Sequence, residues 1–334
     1  MSGLAAPGTF EPRTKTRLLR AVVVFAALGT AIYLAAALWA GADRTVAALA
    51  RLGVGAMLIG TAVASLAYLA RFGRWHVILL ALGHRLPVGL NLRAYIAGLA
   101  MTSSPGKLGE TLRSILLLPH GVTVPQSLAA FFADRLSDVV GVALLGAAAG
   151  WLTGGRQPLL EVLLIGALAG PLLMARFLGG QKAQRWPGTP RERGRMARVL
   201  AALAAPAKEW ARIWTVPRLL VFTAAAVVAY GLQALVFAAY TMRIGAQVGI
   251  GECMAIFASA TLLGAASMIP AGLGAMEAAL VVQLAGKGVE NGDAVALAIA
   301  TRLSTLWCSI FLGLLALATF IRPTQQRPAP AAID

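Results

Sequence analysis

The chain has 334 residues; 59% are hydrophobic, only 13% are charged, and the formal net charge is +16. Soluble domains carry about 25% charged residues, so this composition excludes an ordinary soluble enzyme and places the chain in the membrane class. The positive charge sits in loops beside apolar runs, which points to anionic lipid headgroups and away from nucleic acid.

Residues 1–17 form a polar basic tail with Arg13, Lys15 and Arg17. A first crossing is expected over about Leu19–Gly41, since 21–42 is uncharged and a bilayer core needs about 20 helical residues. Residues 43–51 read as an interfacial turn or short helix. A second crossing runs from Leu52 to Ala70 with a possible extension to Leu82. It ends on Arg71, Arg74, Trp75 and His76, read as an aromatic and basic interface anchor.

Two apolar pieces follow, Leu90–Ser103 and Thr111–Leu118, separated by Ser104-Pro105-Gly106-Lys107-Leu108-Gly109-Glu110. Neither reaches comfortably across a bilayer at about 1.5 Å per residue. They predict a re-entrant helical hairpin with its tip at Pro105-Gly106, allowed at membrane depth only where protein or a wet cavity shields the backbone. A crossing from Gln126 to Trp151 carries Asp134, Arg135 and Asp138, and another covers Pro158–Ala175. The basic loop 176–218 holds ten Lys or Arg and two Glu, with an amphipathic surface helix expected over 196–214. Crossings over 219–242 and 294–320 enclose a second broken segment, 250–286. Residues 323–334 read as a disordered tail.

The two halves echo each other. S-S-P-G-K-L-G-E at 103–110 and A-D-R-L-S-D at 133–138 are matched by S-M-I-P-A-G-L-G-A-M-E at 267–277 and A-T-R-L-S-T at 300–305. Pro105 precedes Arg135 by 30 residues and Pro270 precedes Arg302 by 32. With the basic segments in the cytoplasm, the first hairpin begins and ends inside and the second outside. The expected architecture is therefore an all-α integral membrane protein of about six full crossings and two re-entrant hairpins. Its inverted repeats are about 52–151 and 219–320 within a membrane domain 18–322, a transporter arrangement. Both termini are expected in the cytoplasm, and the membrane is expected to be the inner one.

Charges at membrane depth need a reason, because each costs at least about 2.5–3.5 kcal/mol at a helix centre. Glu110, Arg113, Asp134, Arg135, Asp138, Glu277 and Arg302 are such charges. One reading pairs them to tie helices together, Glu110 with Arg113 and Arg135 with Asp134 or Asp138. The other makes a lipid-headgroup site of Arg135, Arg302, Lys107 and Arg113, whose guanidinium forks suit phosphate. Glu110, Asp134, Asp138 and Glu277 then form a proton or charge network. Pro105, Gly106, Gly109, Pro270, Gly272 and Gly274 shape the hairpin tips, where backbone N–H groups attract anions. Cys253 and Cys308 lie in apolar segments and suggest no disulfide. His76, His84 and His120 lack ligand spacing, so neither a metal nor a cofactor is expected.

P-G-K-L-G-E-x-L-R at 105–113, D-R-L-S-D at 134–138, I-P-A-G-L-G-A-M-E at 269–277 and R-L-S-T-L-W at 302–307 resemble the lysylphosphatidylglycerol synthase transmembrane family, also called flippase-like. Arg-x-x-Arg-Trp at 71–75 is similar to that family too. The resemblance implies the membrane half of the multiple peptide resistance factor, which translocates aminoacylated phosphatidylglycerol. The soluble aminoacyl-transfer domain of the full synthase has no counterpart here, so lipid aminoacylation is not expected. Stand-alone relatives are linked to hopanoid transport and to dolichol-linked glycosylation. Ala271 stands where the family's pattern has glycine, which puts a symmetric pair of tip sites in doubt. The expected function is thus non-enzymatic translocation of an anionic phospholipid or an isoprenoid or hopanoid lipid. Its rivals are a membrane partner of a biosynthetic complex, docking through 176–218, and a lipid-headgroup enzyme using Asp134, Asp138 and Glu277.

Overall fold

The computed structural model describes residues 12–102, 112–154, 158–180 and 208–321, and among them the chain is helical without a strand. In chain order, α1 spans Pro12–Ala40, α2 Ala42–Leu52, α3 Val54–Ala81, α4 Val88–Leu99, α5 Leu112–Leu117, α6 Val124–Leu152 and α7 Pro158–Gly180. A short α8 covers 208–213. Then come α9 (Val216–Arg243), α10 (Ile250–Ala266), α11 (Ala275–Ala285), α12 (Asn291–Arg302) and α13 (Cys308–Ile321). A π-helical stretch, Leu303–Trp307, joins the last two.

Four described helical stretches are long and apolar enough to cross a bilayer: Val23–Ala40, Val54–Ala81, Val216–Arg243 and Asn291–Phe320. Their outward faces carry large apolar side chains, among them Leu34, Leu58, Ile59 and Leu220, each more than half exposed. Hydrocarbon is the solvent that accepts such a surface, since water penalises it by about 25 cal/mol per Å². The chain is a multi-pass membrane protein. At 29 residues α6 is also long enough to cross, but Asp134, Arg135 and Asp138 interrupt its apolar character. Pro171 interrupts α7.

Local sequence explains where the helices start. Thr123 and Gln126 form a capping box at α6, with the Thr123 amide donating to Gln126 Oε1 at 3.1 Å. At α11 the Gly274 amide donates to Glu277 Oε2 at 2.8 Å, satisfying one of the donors a helix start leaves open. Prolines in the first turns of α6 and α9 sit where no amide hydrogen bond is lost.

The helices pack in pairs. α3 lies on α9, α4 on α13, and α6 on both α9 and α10, while the π stretch lies on α3. Small residues set the closest approaches, as membrane helix packing favours. A Cβ on Gly313 would fall 2.1 Å from the backbone nitrogen of Ala100, and one on Gly141 would fall 2.3 Å from Cβ of Ala226.

The segment 250–286 folds as α10 and α11 packed on each other, joined through the short 3₁₀ turn Pro270–Gly272. Backbone φ is +53° at Ala271, +65° at Gly272 and +85° at Gly274. The tip expected at Pro105 and Gly106, with Lys107, Gly109 and Glu110, lies outside the described residues; α4 and α5 flank it. Of the expected surface helix only 208–214 is described, and 208–213 of it is helical.

One expectation is corrected. α3 takes the longer of the two expected extents, to Ala81, but Arg71, Arg74 and Trp75 are only 6%, 1% and 1% exposed. They are interior residues rather than an interface anchor. Two aspartates on α6 make that burial affordable.

Candidate functional site

Arg71 and Arg74 are three apart on α3, and Asp134 and Asp138 are four apart on α6, so each pair occupies one helix face. Arg74 donates through Nε and Nη2 to Asp134 Oδ1 at 2.9 and 2.6 Å, and through Nη2 to Asp138 Oδ1 at 2.6 Å. Arg71 Nη2 donates to Asp138 Oδ2 at 2.8 Å. Arg135 reaches Asp134 Oδ2 at 2.7 Å and Asp138 Oδ2 at 3.1 Å. Arg113 stands 3.9 Å from Asp134 and stacks over Tyr95, its guanidinium carbon 4.1 Å from the ring centroid. Among the described residues, four guanidinium groups thus surround two carboxylates.

Charges this deep persist only when paired and hydrogen-bonded. Their mutual attraction offsets desolvation when the geometry is good, and loss of one partner costs about 3–5 kcal/mol. Arg74, with a fully buried side chain, is the structural core of the cluster. Arg71 differs. Like Nη1 of Arg74, its Nε is buried without a hydrogen-bond partner among the described residues, but its guanidinium lies 5.5 Å from the Tyr230 ring centroid and, unlike Arg74, it lines a cavity of about 80 Å³.

That cavity draws its walls from α3, α4, α9, α10, α11, α12, the π stretch and α13. Among the described residues Arg302 is its second cation, and no carboxylate lines it. The hydroxyls of Thr261, Thr305 and Ser309 also face it, each donating at 2.7 Å to a carbonyl of its own helical run. Tyr230 and Gln233 also line the cavity, and among the described residues neither side chain has a hydrogen-bond partner. Two fixed cations with two polar groups between enclosing helices have the chemistry to receive an anion. Such donors count for more there than in water.

Arg302 is held from behind. Its Nε donates to Glu277 Oε1 at 2.8 Å, Nη2 to the Ala271 carbonyl at 2.7 Å, and Nη1 approaches Met276 Sδ at 3.4 Å. Glu277 also accepts from the Tyr33 hydroxyl at 3.1 Å, and Trp307 Nε1 donates to that hydroxyl at 3.0 Å. The left-handed backbone at Ala271 turns the second tip so that its carbonyl meets Arg302. Glycine would suit that conformation better; the carbonyl contact is made with alanine all the same.

The sequence-derived candidates therefore divide. Arg302, Glu277 and the second tip (Pro270, Gly272, Gly274) come together beside the cavity. Arg135, Asp134, Asp138 and Arg113 come together in the neighbouring cluster. Arg135 is not among the described residues that line the cavity; it shares Asp138 with Arg71, which is. Lys107, Glu110, Pro105, Gly106 and Gly109 are outside the described residues. Arg71, Tyr230 and Gln233 were not foreseen as site residues. The matched spacing of two arginines and two aspartates on separate apolar helices was the signal for Arg71; Tyr230 carried none.

Comparison with known families gives one result: the family model described as "Lysylphosphatidylglycerol synthase TM region" matches residues 24–313. No curated protein matches the chain.

Proposed function

We propose, from the premise that the chain belongs to the lysylphosphatidylglycerol synthase TM region family, that it translocates an anionic lipid between the leaflets of the inner membrane. Membership ties the chain to membrane-lipid function. The substrate class, an anionic phospholipid or a phosphorylated isoprenoid lipid, is our reading. The headgroup phosphate occupies the cavity between Arg71 and Arg302, and the hydrocarbon stays in the bilayer. The chain acts without chemistry on the lipid, and both termini face the cytoplasm.

One observation carries this reading: among the described residues the cavity is lined by two guanidinium groups and no carboxylate. A phosphate monoanion would be bound by charge and by the spare donors of Arg71, Tyr230 and Gln233. The carboxylates behind the arginines, Asp138 and Glu277, hold them in place and keep the site from binding an anion too tightly to release it.

An inverted repeat gives such a site a way to face either leaflet. The packing supports one. Matching α3 with α9, α4 with α10, α5 with α11 and α6 with α12–α13 turns the contacts among these helices into their counterparts. The α4–α13 contact exchanges with α6–α10, and α6–α9 with the contact of the π stretch and α3. Arg135 and Arg302 are each the twelfth residue of their helices, α6 and α12.

The test is lipid scrambling. The protein is reconstituted in phosphatidylcholine vesicles with a trace of labelled phosphatidylglycerol, and movement between leaflets is followed. Faster movement than in protein-free vesicles, reduced at least tenfold by Arg71→Gln with Arg302→Gln, is the expected result. Equal rates for the wild type and a correctly folded double variant would remove the site.

A further inference from the structure

Met276 and Glu277 open the first turn of α11, and they face different spaces. Met276 lines the polar cavity with Arg302; Glu277 lines a second, larger crevice of about 300 Å³ between α1, α11 and α12. Arg302 and Glu277, bonded at 2.8 Å, thus form the wall between the two.

The crevice has a different character from the cavity. Its walls are Ile32, Ala36 and Trp39 of α1, with Val281, Val295 and Ile299 opposite. Its polar side chains are Glu277 and Tyr33, which are bonded to each other at its floor. At its mouth Trp39 and Val282 are each 70% exposed, on helices whose outer faces are apolar. In a bilayer this mouth opens into hydrocarbon. An unfilled apolar space of this size forfeits dispersion contacts along its whole lining, whereas a lipid chain enters from a solvent as apolar as leucine at little cost.

We infer that the crevice holds one hydrocarbon chain of the same lipid whose anionic headgroup occupies the Arg71–Arg302 cavity, so that the Arg302–Glu277 pair marks the neck of the bound lipid. This rests on the reading of that cavity as a headgroup site. The adjacency of the two spaces across a single ion pair is what assigns the chain to the transported lipid rather than to the surrounding bilayer. Polar and apolar subsites sharing one wall are what an amphiphile needs and a free anion does not.

The experiment uses the full chain in phosphatidylcholine vesicles and two probes with the same diazirine-bearing acyl chain, one phosphatidylglycerol and one phosphatidylcholine. The site of photolabelling is read by mass spectrometry. A third, separate arm measures binding of dihexanoyl phosphatidylglycerol, which has the headgroup but only short chains. Expected are labels on α1 and α11 at the crevice, several-fold stronger for the anionic probe. Ala278→Trp introduces a large side chain at an exposed position of the crevice lining. It should cut this labelling at least fivefold and leave dihexanoyl lipid binding within twofold; Ala36→Trp should do the same from α1. Equal labelling by both probes would overturn the inference, since bulk lipid then fills the crevice, and so would labels elsewhere or indifference to both tryptophans. Absence of dihexanoyl lipid binding by the wild type would instead sink the headgroup reading itself, a result the photolabelling arm does not depend on.

Discussion

Arg71 of α3 and Arg302 of α12 line the same cavity, and each is held by one carboxylate at 2.8 Å, Asp138 for the first and Glu277 for the second. The two arginines come from opposite ends of the chain, yet they share one arrangement: a cation facing the cavity and an anion behind it. This fixes the guanidinium groups at the cavity wall.

Arg302 spends one N–H of each of its three nitrogens on Glu277, Met276 and Ala271, whereas Arg71 has a recorded hydrogen bond only from Nη2, to Asp138. Removing Arg71 should therefore remove a direct donor as well as a charge. Charge-assisted hydrogen bonds contribute about 1.5–3 kcal/mol. Arg71→Gln should accordingly weaken dihexanoyl phosphatidylglycerol binding by about tenfold or more, measured by calorimetry in detergent micelles. Unchanged affinity would show that Arg71 does not touch the headgroup.

Arg74 predicts a different outcome. It is fully enclosed and donates to both Asp134 and Asp138, so Arg74→Ala leaves buried anions short of a partner. The loss should be about 3–5 kcal/mol of stability, visible as a large fall in the thermal midpoint in detergent. Arg74→Lys should recover only part of it, because an ammonium cannot reproduce the planar fork.

Ala271 occupies a left-handed backbone conformation, with φ of +53°. For a residue with a Cβ this costs about 1–2 kcal/mol, a penalty glycine avoids. Ala271→Gly should raise the thermal midpoint slightly while keeping the carbonyl contact to Arg302, and Ala271→Val should lower it. A drop for the glycine variant would mean the alanine methyl packs at the tip in a way that outweighs the strain.

Gly313 joins α13 to the end of α4, with no room for a side chain against Ala100. Gly313→Val should destabilise by about 1–3 kcal/mol, the usual range for overpacking. Because α4 leads into the cavity wall at Leu99 and Thr102, lipid scrambling should fall as well. A variant of normal thermal midpoint and rate would show that the two helices can part without consequence.

Composition and periodicity were enough to read an all-helical membrane protein, the broken segment 250–286 and the family motifs, because these depend on local hydropathy and on glycine and proline geometry. The pairing of Arg135 with the α6 aspartates was also legible, since those residues are neighbours on one helix. Partners across the fold were not. Nothing local distinguishes an arginine anchored at a membrane surface from one buried mid-helix; the difference is whether another helix brings a carboxylate. Only the packing of α3 on α6 put Arg71 and Arg74 beside Asp134 and Asp138. Only the meeting of α3, α9 and α12 placed Arg71, Tyr230 and Arg302 around one space. The apolar cost of each helix is settled residue by residue along the chain, whereas the cost of a buried charge is settled by what the tertiary fold sets against it.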